Sequence, residues 1–254
     1  MFTMGRFKFV RVDSPEMKER IYRLRYEIFA REFGFENPEE LPDGLEKDVY
    51  EPYAIHYAAM DETDEIVGTV RLIRHSENGF PIEHATKIEI PGKKPDMDKV
   101  AEVSRLAVHK TYRRRKLDGF YGLESYLTVS EGGIRPDYGP MPPALQKRKT
   151  PVIIKGLYKM VYQESKKMGL THLLMIVEQK LYNSLKKFGF YIRQIGEAVE
   201  YHGVRIPCVA IIEEMDRHLM AEHQDMYHFI YDLSLIHISE PTRPLYISYA
   251  VFCL

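Results

Sequence analysis

The sequence contains little cysteine and no long hydrophobic run, and both absences narrow the classes of protein that it can encode. Cys208 and Cys253 are the two cysteines among 254 residues, too few for a disulfide framework or a cysteine-based zinc site. No apolar stretch approaches the ~20 residues that span a bilayer. The N-terminal run "MFTMGRFKFVRV" lacks the apolar core of a signal peptide. We therefore expect a cytoplasmic protein without a transmembrane segment.

An excess of charge of one sign is also absent. The formal net charge is −1, although 29% of the residues are charged, and 44% are hydrophobic. Such a balance gives no general attraction to nucleic acid. No glycine-rich phosphate-binding fingerprint follows a predicted strand, so a doubly wound nucleotide-binding fold is not expected. The composition predicts a soluble globular protein with no nucleic-acid partner.

Residues 233–254 differ in kind from the rest of the sequence. The run "LSLIHISEPTR" at 233–243 resembles a translated transposase-type sequencing adapter, and "ISYAVFCL" at 247–254 resembles the downstream flow-cell primer in the same frame. Three residues, Pro244-Leu245-Tyr246, separate the two runs. Their three codons have the length of an index barcode plus one leftover base. An ordinary C-terminal strand is the alternative. We interpret 233–254 as a non-native tail and expect the authentic sequence to end by Asp232.

Hydrophobic periodicity predicts the element order β-α-β-β-β-α-β-α-β-β over residues 1–232. The predicted strands cover 7–12, 53–61, 65–75, 100–109, 172–178 and a hairpin over 198–212 that turns at His202-Gly203. The predicted helices cover 15–33, 151–169, 179–190 and 213–231. Residues 36–52 and 77–99 are predicted loops, and 116–150 is a predicted irregular insertion. The pattern favours a single α/β domain of the α+β type, with a mixed, mostly antiparallel sheet flanked by helices.

Three histidines are evenly spaced in the last predicted helix. His218, His223 and His228 are five residues apart, whereas metal ligands on a helix align at spacings of three or four. We interpret them as a polar helix face, and we expect no metal site.

Charged residues of both signs lie on apolar faces of the predicted elements or in the loop that flanks the predicted antiparallel strands. They are Arg25 in the first helix, Asp48 and Glu51 in "DVYE", and Arg71, Glu102 and Arg105 in the strands. A single one would be read as a surface or snorkelled charge. An unpaired buried charge costs on the order of several kcal/mol, so together they indicate a buried ion-pair network around a pocket.

Glu102 and Arg105 belong to one predicted strand, "AEVSRLAV". Residues three apart on a regular strand point to opposite faces of the sheet. If both side chains serve one site, a β-bulge must lie near Ser104. Bulges are enriched beside active sites, so this spacing is itself a functional signal.

Several ordered segments resemble the motif series of the acyl-homoserine-lactone synthases. They are "LRYEIFAREF", "DVYEPYAIHY", "VGTVRLIR", "FPIE", "AEVSRLAVHKTYRRR" and "VEYHGVRIP". The closer resemblance is to the N-acyl amino acid synthases and to the acyltransferases associated with exosortase/PEP-CTERM systems. It covers about residues 7–230 and implies the GNAT-like acyl-CoA N-acyltransferase fold.

The resemblance implies a role for each matching charged residue. Arg25, Asp48, Arg71, Glu102 and Arg105 match the charged positions of the lactone synthase pocket, and Glu51 stands where those synthases more often have aspartate. Glu102 is then the general base that removes a proton from the attacking amine through water. The three arginines hold Asp48 and Glu51 and bind the carboxylate of the acceptor. A backbone N–H at Leu106 or Val108 polarises the thioester carbonyl.

Two departures from the lactone synthase pattern bear on the substrates. The sequence contains no tryptophan, whereas lactone synthases carry one just after the first helix. At that place "EFGFE" offers Phe33 and Phe35, and Phe33 is taken as the candidate acceptor contact. The run Arg113-Arg114-Arg115 lacks the glycines with which acetyl-CoA-using relatives wrap a pyrophosphate. We interpret this run as a docking site for acyl carrier protein, with a solvated turn as the alternative.

Together these features predict an enzyme that moves a fatty acyl group from acyl carrier protein to the amine of an amino acid or a similar small acceptor. The donor is an acyl-phosphopantetheine, on acyl carrier protein or as acyl-CoA, and no cofactor is tightly bound. The alternatives are a lactone synthase that uses S-adenosylmethionine, a CoA-dependent N-acetyltransferase, and a non-catalytic module that binds acyl carrier protein or a lipid.

The adapter interpretation makes a testable prediction. Deleting residues 233–254 should leave the melting temperature within about 2 °C, because a change of about 1 kcal/mol moves a domain of this size by ~2–4 °C. Circular dichroism of the shortened and full chains during heating measures the difference. A loss of many degrees would show that the tail is part of the fold.

Overall fold

One sheet of nine strands organises the residues that the computed structural model describes, which are 1–112, 151–200 and 203–231. The predicted insertion at 116–150, the arginine run at 113–115 and the tail at 233–254 lie outside these described residues. The strands are β1 Phe2–Met4, β2 Phe7–Val12, β3 Ala54–Met60, β4 Ile66–Arg74, β5 Val100–Val108, β6 His172–Glu178, β7 Arg193–Gln194, β8 Val199–Glu200 and β9 Val204–Ile211. The helices are α1 Pro15–Arg25, α2 Pro81–Ala85, α3 Pro151–Lys167, α4 Gln179–Lys187, α5 Ile212–Glu222 and α6 Gln224–Tyr231.

The sheet is mixed but mostly antiparallel, as predicted. Its strand order is β1-β2-β3-β4-β5-β6-β9-β7, with β8 paired to β9. The pairing of β5 with β6 is parallel, and the other pairings are antiparallel. The segments β1, β7 and α2 were not predicted, because elements of two to five residues carry too few positions to show a period.

Helices cover both faces of the sheet. On one face, α3 packs its buried Ile153 and Leu157 into the main apolar core. It approaches β2 closely because Gly156 has no side chain: a Cβ there would lie 2.1 Å from the ring of Phe9. On the other face, α1 buries Ile21 beside the strands β2 to β4.

The first predicted helix has the expected extent but not a uniform geometry. It begins at Ser14, whose Oγ accepts the backbone N–H of Met17 at 3.2 Å. After Arg25 it continues as a π-helical turn over Tyr26–Glu32. π-Helical turns are rare in proteins, and those that occur are often found at functional sites. This one carries Phe29, which lines the pocket described below.

The prediction of one continuous C-terminal helix is wrong. The chain forms α5 and α6, separated at His223, whose backbone angles of φ −137° and ψ 57° leave the helical region. Among the described residues, no helix is both long enough and apolar enough to cross a membrane.

The strands β5 and β6 separate partway along their length. Their register pairs Val100 with His172 and Glu102 with Leu174, and no pair is formed beyond that point in the described part of the two strands. The second half of β5 and the end of β6 therefore diverge, and the gap between them opens beside Glu102.

Candidate active site

A β-bulge interrupts β5 at the position that the sequence predicted. Arg71 of β4 lies opposite Ser104, but Thr69 lies opposite Ala107. Two residues of β5, Arg105 and Leu106, therefore face one residue of β4. Arg105 has φ 52°, a left-handed conformation that costs a residue with a side chain on the order of 1–3 kcal/mol. The prediction of a bulge near Ser104 is confirmed.

The bulge brings side chains of one strand to one site. On a regular strand, Glu102 and Arg105 would point to opposite faces. With the extra residue inserted, Glu102, Ser104 and Arg105 all line the same pocket. The strained backbone of Arg105 therefore accompanies the placement of Glu102 and Arg105 in the same pocket.

The bulge also changes the direction of the backbone groups that follow it. The N–H of His109 donates to the carbonyl of Val67 at 2.8 Å, so His109 belongs to the ladder with β4. Because hydrogen-bonding direction alternates along an antiparallel strand, Ala107 also faces β4. The N–H groups of Leu106 and Val108 are therefore directed away from β4, toward the gap between β5 and β6.

The pocket lies where β5 and β6 diverge. Its walls combine charged groups with aromatic and small apolar side chains. The lining residues are Phe29, Phe35, Glu36, Pro81, Ala85, Glu102, Val103, Ser104, Arg105, Ile176 and Arg205. An acyl thioester and a polar acceptor can both find complementary surfaces in such a site.

A buried network of arginines and carboxylates borders the pocket. Arg25 donates to Glu46 through Nε and to Glu51 Oε1 through Nη1 at 2.9 Å. Arg71 donates through Nη1 to Asp48 Oδ1 and Glu51 Oε1, both at 2.8 Å. The predicted cluster of Arg25, Asp48, Glu51 and Arg71 is therefore assembled in the structure.

Arg105 joins the same network through residues that the sequence did not indicate. Its Nε donates to Glu46 Oε1 and its Nη2 to Glu36 Oε1, both at 3.0 Å. Sequence reasoning missed both glutamates because they lie in a polar segment, where a carboxylate is usually solvated. Ser104, whose Oγ accepts Arg71 Nε at 3.1 Å, and His56 were missed for a similar reason: neither carries a signal in the sequence.

The network lowers the pKa of its most buried carboxyls. Burial alone would raise the pKa of Glu46, but the guanidiniums of Arg25 and Arg105 outweigh it and lower the pKa to about 2. The pKa of Glu51 is also lowered against the effect of burial, by the hydrogen bond from His56 Nε2, 2.8 Å from Oε2, and by the adjacent arginines. Both carboxyls are charged at neutral pH, so the arginines are compensated.

Glu102 has a different environment from the other carboxyls. Its side chain is buried, and Oε2 accepts the backbone N–H of Ile82 at 2.9 Å. Burial raises the pKa of Glu102 to about 8, because that hydrogen bond and the charges of Arg71 and Arg105 offset only part of the desolvation. A carboxyl that titrates near neutral pH inside a pocket is suited to general acid–base chemistry.

The burial of two arginines revises one expectation. Arg25 is 0% exposed and Arg71 is 1% exposed, and both guanidiniums are hydrogen-bonded to carboxylates. Neither guanidinium lines the pocket, so the structure does not place Arg25 or Arg71 in direct contact with an acceptor carboxylate. Arg105, with its side chain 17% exposed, lines the pocket itself.

The pocket wall contains one of the two aromatic residues that the segment "EFGFE" offered. Phe35 lines the pocket, and Phe33 stacks against it with ring centroids 5.2 Å apart. On the opposite wall, the guanidinium of Arg205 lies 5.8 Å from the centre of the Phe35 ring and forms an ion pair with Glu178 at 2.9 Å. The segment "VEYHGVRIP" contains Arg205, and this motif was the available signal for it.

Replacing Glu46 tests whether the network stabilises the fold. Glu46→Gln leaves Arg25 and Arg105 without their shared carboxylate, and removing one partner of a buried pair costs about 3–5 kcal/mol. We expect a loss of that size in the unfolding free energy at pH 7, measured by urea denaturation. Because the pKa of Glu46 is lowered from 4.5 to about 2, its contribution is complete above pH 4.5 and is lost as the pH falls toward 2.

The matched control is Glu19→Gln. Glu19 pairs with Arg23 at 2.6 Å on an exposed helix face, and such pairs contribute about 0.5 kcal/mol or less. Equal stability of the Glu46 variant and the native chain at pH 7 would contradict the assigned role of the network.

Comparisons with known proteins agree with this geometry. Residues 24–120 match the family described as acetyltransferase (GNAT) domain. Three solved structures share the fold. TofI, in a ternary complex with an inhibitor and MTA, has 14% identity and a TM-score of 0.55 over 85% of this chain and 95% of that one. BjaI, a CoA-dependent acyl-homoserine lactone synthase solved with MTA, has 17% identity and a TM-score of 0.54 over 86% of this chain and 82% of that one.

The third structure is FeeM, an N-acyl amino acid synthase from uncultured soil microbes. It has 14% identity and a TM-score of 0.50 over 84% of this chain and 94% of that one. No curated protein sequence matched the chain. The likeness to exosortase/PEP-CTERM acyltransferases stays a prediction. Residues 24–120 therefore resemble a GNAT acetyltransferase domain, and the chain shares the fold of solved acyl-homoserine lactone synthases and of a solved N-acyl amino acid synthase.

Proposed function

We propose that this chain transfers a fatty acyl group from acyl carrier protein to the amine of an amino acid or a similar small acceptor, in the cytoplasm. The observation that carries the proposal is the buried carboxyl of Glu102, with its raised pKa, in the pocket where β5 and β6 diverge. That carboxyl lies on the same strand as a bulge that turns backbone N–H groups toward the gap.

The proposed reaction is aminolysis of a thioester. The acceptor nitrogen attacks the acyl carbonyl carbon, a C–N bond forms, and the C–S bond to phosphopantetheine breaks. The nitrogen must lose a proton as it bonds to carbon, and Glu102 accepts that proton through water. The leaving thiolate takes up a proton, and the products are an amide and the free phosphopantetheine thiol. General-base assistance of this kind contributes about 10²–10⁴-fold to a rate.

Backbone groups of β5 supply the second requirement. Negative charge develops on the carbonyl oxygen during attack, and fixed donors in a water-poor site stabilise it. The N–H groups of Leu106 and Val108 have the required direction, because the bulge turns them away from β4. We assign one of them to the thioester carbonyl.

The arginines divide into two roles. Arg25 and Arg71 hold the carboxylates Asp48 and Glu51 in fixed positions and act as positioning residues. Arg105, which lines the pocket, is assigned to the acceptor carboxylate, for which a guanidinium is well matched. Phe35, with Phe33 stacked on it, supplies an apolar surface for the acceptor side chain.

Replacing Glu102 separates an enzyme from a binding module. Glu102→Gln keeps the shape and the acceptor for the Ile82 N–H but cannot accept the proton. We expect kcat to fall by about 10²–10⁴-fold while binding of acyl carrier protein is retained. The rise in rate with pH that is centred near 8 should be absent from the variant, because that inflection belongs to Glu102. Steady-state rates across pH 6–10 measure both effects.

The stability of the same variant checks that it is folded. The pKa of Glu102 is raised from 4.5 to about 8, so between those pH values the unfolded chain loses a proton that the folded chain keeps. Glu102 therefore lowers stability across that window, and Glu102→Gln should be at least as stable as the native chain at pH 7.

The control for this experiment is Glu83→Gln. Glu83 Oε2 accepts the N–H of Phe80 at 2.7 Å, so it is a carboxylate bonded to the same backbone segment but outside the pocket lining. A folded Glu102→Gln protein with native turnover removes Glu102 from the mechanism. A native chain that binds acyl carrier protein but acylates no amino acid, amine or S-adenosylmethionine favours the non-catalytic module. Product formed from S-adenosylmethionine alone favours a lactone synthase.

Charge reversal at Arg113, Arg114 and Arg115 tests the donor. These residues lie outside the described part of the chain, and their role is proposed from the sequence alone. Replacement by glutamate should raise KM for acyl carrier protein and flatten its salt dependence, with little effect on kcat, because an acidic partner is attracted by basic residues. Lys93→Glu with Lys94→Glu, in an exposed loop, is the matched control. If acyl-CoA is the better donor and is unaffected by the reversal, the donor is CoA.

A further inference from the structure

Three potential metal ligands meet at the junction of α5 and α6, away from the pocket lining. They are His218 on α5, Glu222 at its last residue and His223 at the break before α6. One ligand atom from each lies within 4.8 Å of the other two. The two imidazole rings have centroids 5.3 Å apart, and His218 Nδ1 lies 3.6 Å from Glu222 Oε1.

The helix break is the reason that these groups meet. On a continuous helix, residues five apart are separated by roughly 140° around the axis, so His218 and His223 would point in different directions. Because helical geometry ends at Glu222, the backbone of His223 turns and returns its ring toward His218. The spacing argument against a metal site assumed an unbroken helix, so it does not apply to this pair.

Both rings are held by neighbouring residues of the turn after α4. The ring of His218 lies 5.3 Å from the ring of Tyr191. The ring of His223 packs over Gly189, where a Cβ would lie 2.4 Å from His223 Cγ. Gly189 also has φ +85°, which favours glycine. The two imidazoles are thus positioned by packing rather than extended freely into solvent.

We propose that His218, Glu222 and His223 bind a divalent transition-metal ion of the zinc type. Two imidazole nitrogens and one carboxylate oxygen suit zinc, cobalt, nickel or copper, whereas magnesium and calcium prefer oxygen ligands throughout. Bonds of ~2.0–2.2 Å require the three ligand atoms to draw together to roughly 3.3 Å. Glu222, with its side chain 67% exposed, has the freedom to close that distance, and water completes the coordination.

A metal at this position would join the end of α5 to the start of α6. The helix α6 is attached to α3 through a hydrogen bond from Gln163 Nε2 to the carbonyl of Ile230 at 2.6 Å. Fixing the junction would therefore stabilise the docking of the C-terminal helix. Because the three ligands converge only in the folded chain, bound metal raises the melting temperature by mass action.

The test is titration of the full chain, stripped with EDTA and dialysed, with ZnCl₂ followed by calorimetry and by thermal denaturation. We expect saturable binding of one ion and a rise of several degrees in melting temperature, with no such rise from MgCl₂. His218→Ala and His223→Ala should each weaken binding by about 100-fold, since loss of even an outer partner of a metal ligand costs ~10–100-fold. Glu222→Gln should weaken it less.

His228→Ala is the matched control, because His228 lies on α6 outside the cluster. It should leave zinc affinity unchanged. The melting temperature of each variant in EDTA shows that it is folded, and Glu222→Gln, at an exposed position, carries the test if a histidine variant is not. Absence of saturable binding overturns the proposal. If the His218 and His223 variants bind zinc as tightly as the native chain, the ion is an adventitious ion only, and this result also overturns the proposal.

Discussion

The arrangement of the pocket depends on the ion pairs between buried guanidiniums and the carboxylates of the segment that joins α1 to β3. That segment contains little regular structure and contributes no hydrophobic strand of its own. Its attachment comes from Glu46 and Glu51, which bind Arg25 of α1, and from Asp48, which binds Arg71 of β4. Three elements that are distant in sequence are thereby held around one edge of the pocket.

Burying charges in this way is costly unless every partner is present. Desolvation of each ion opposes the network, and the attraction between partners offsets it only when geometry and hydrogen bonds are complete. Glu46 shows the balance, since burial raises its pKa and the two arginines reverse that effect. Glu36 shows the opposite result, because burial outweighs the attraction of Arg105 and raises its pKa. The two glutamates of the segment therefore differ in how completely the arginines offset their burial.

The same network explains why Glu102 titrates differently. The guanidinium of Arg105 is bound to Glu36 and Glu46, and that of Arg71 to Asp48 and Glu51, so neither forms a direct pair with Glu102. Left with a backbone N–H donor in a buried position, Glu102 keeps a proton to a higher pH. The bulge at Arg105 and the divergence of β5 from β6 place that carboxyl where a substrate can reach the strand backbone.

The sequence by itself determined the elements with strong periodicity and the residues that violated it. Alternation along β3 to β5 and the amphipathic α3 were readable because local spacing reports which face is buried. The charged residues Arg25, Arg71, Glu102 and Arg105 stood out against those apolar patterns. The bulge followed from strand geometry once Glu102 and Arg105 were taken to serve one site, and the structure contains it.

Tertiary structure decided what local spacing does not encode. Glu36 and Glu46 come from a polar segment in which neither differs in pattern from a solvated carboxylate, and only folding places them against Arg105. Of the two phenylalanines in "EFGFE", Phe35 lines the pocket and Phe33 stacks on it, and only the folded path of this segment distinguishes them. His218 and His223 meet because the helix breaks between Glu222 and α6. Each of these depends on long-range packing or on a backbone irregularity, and neither leaves a periodic trace in the sequence.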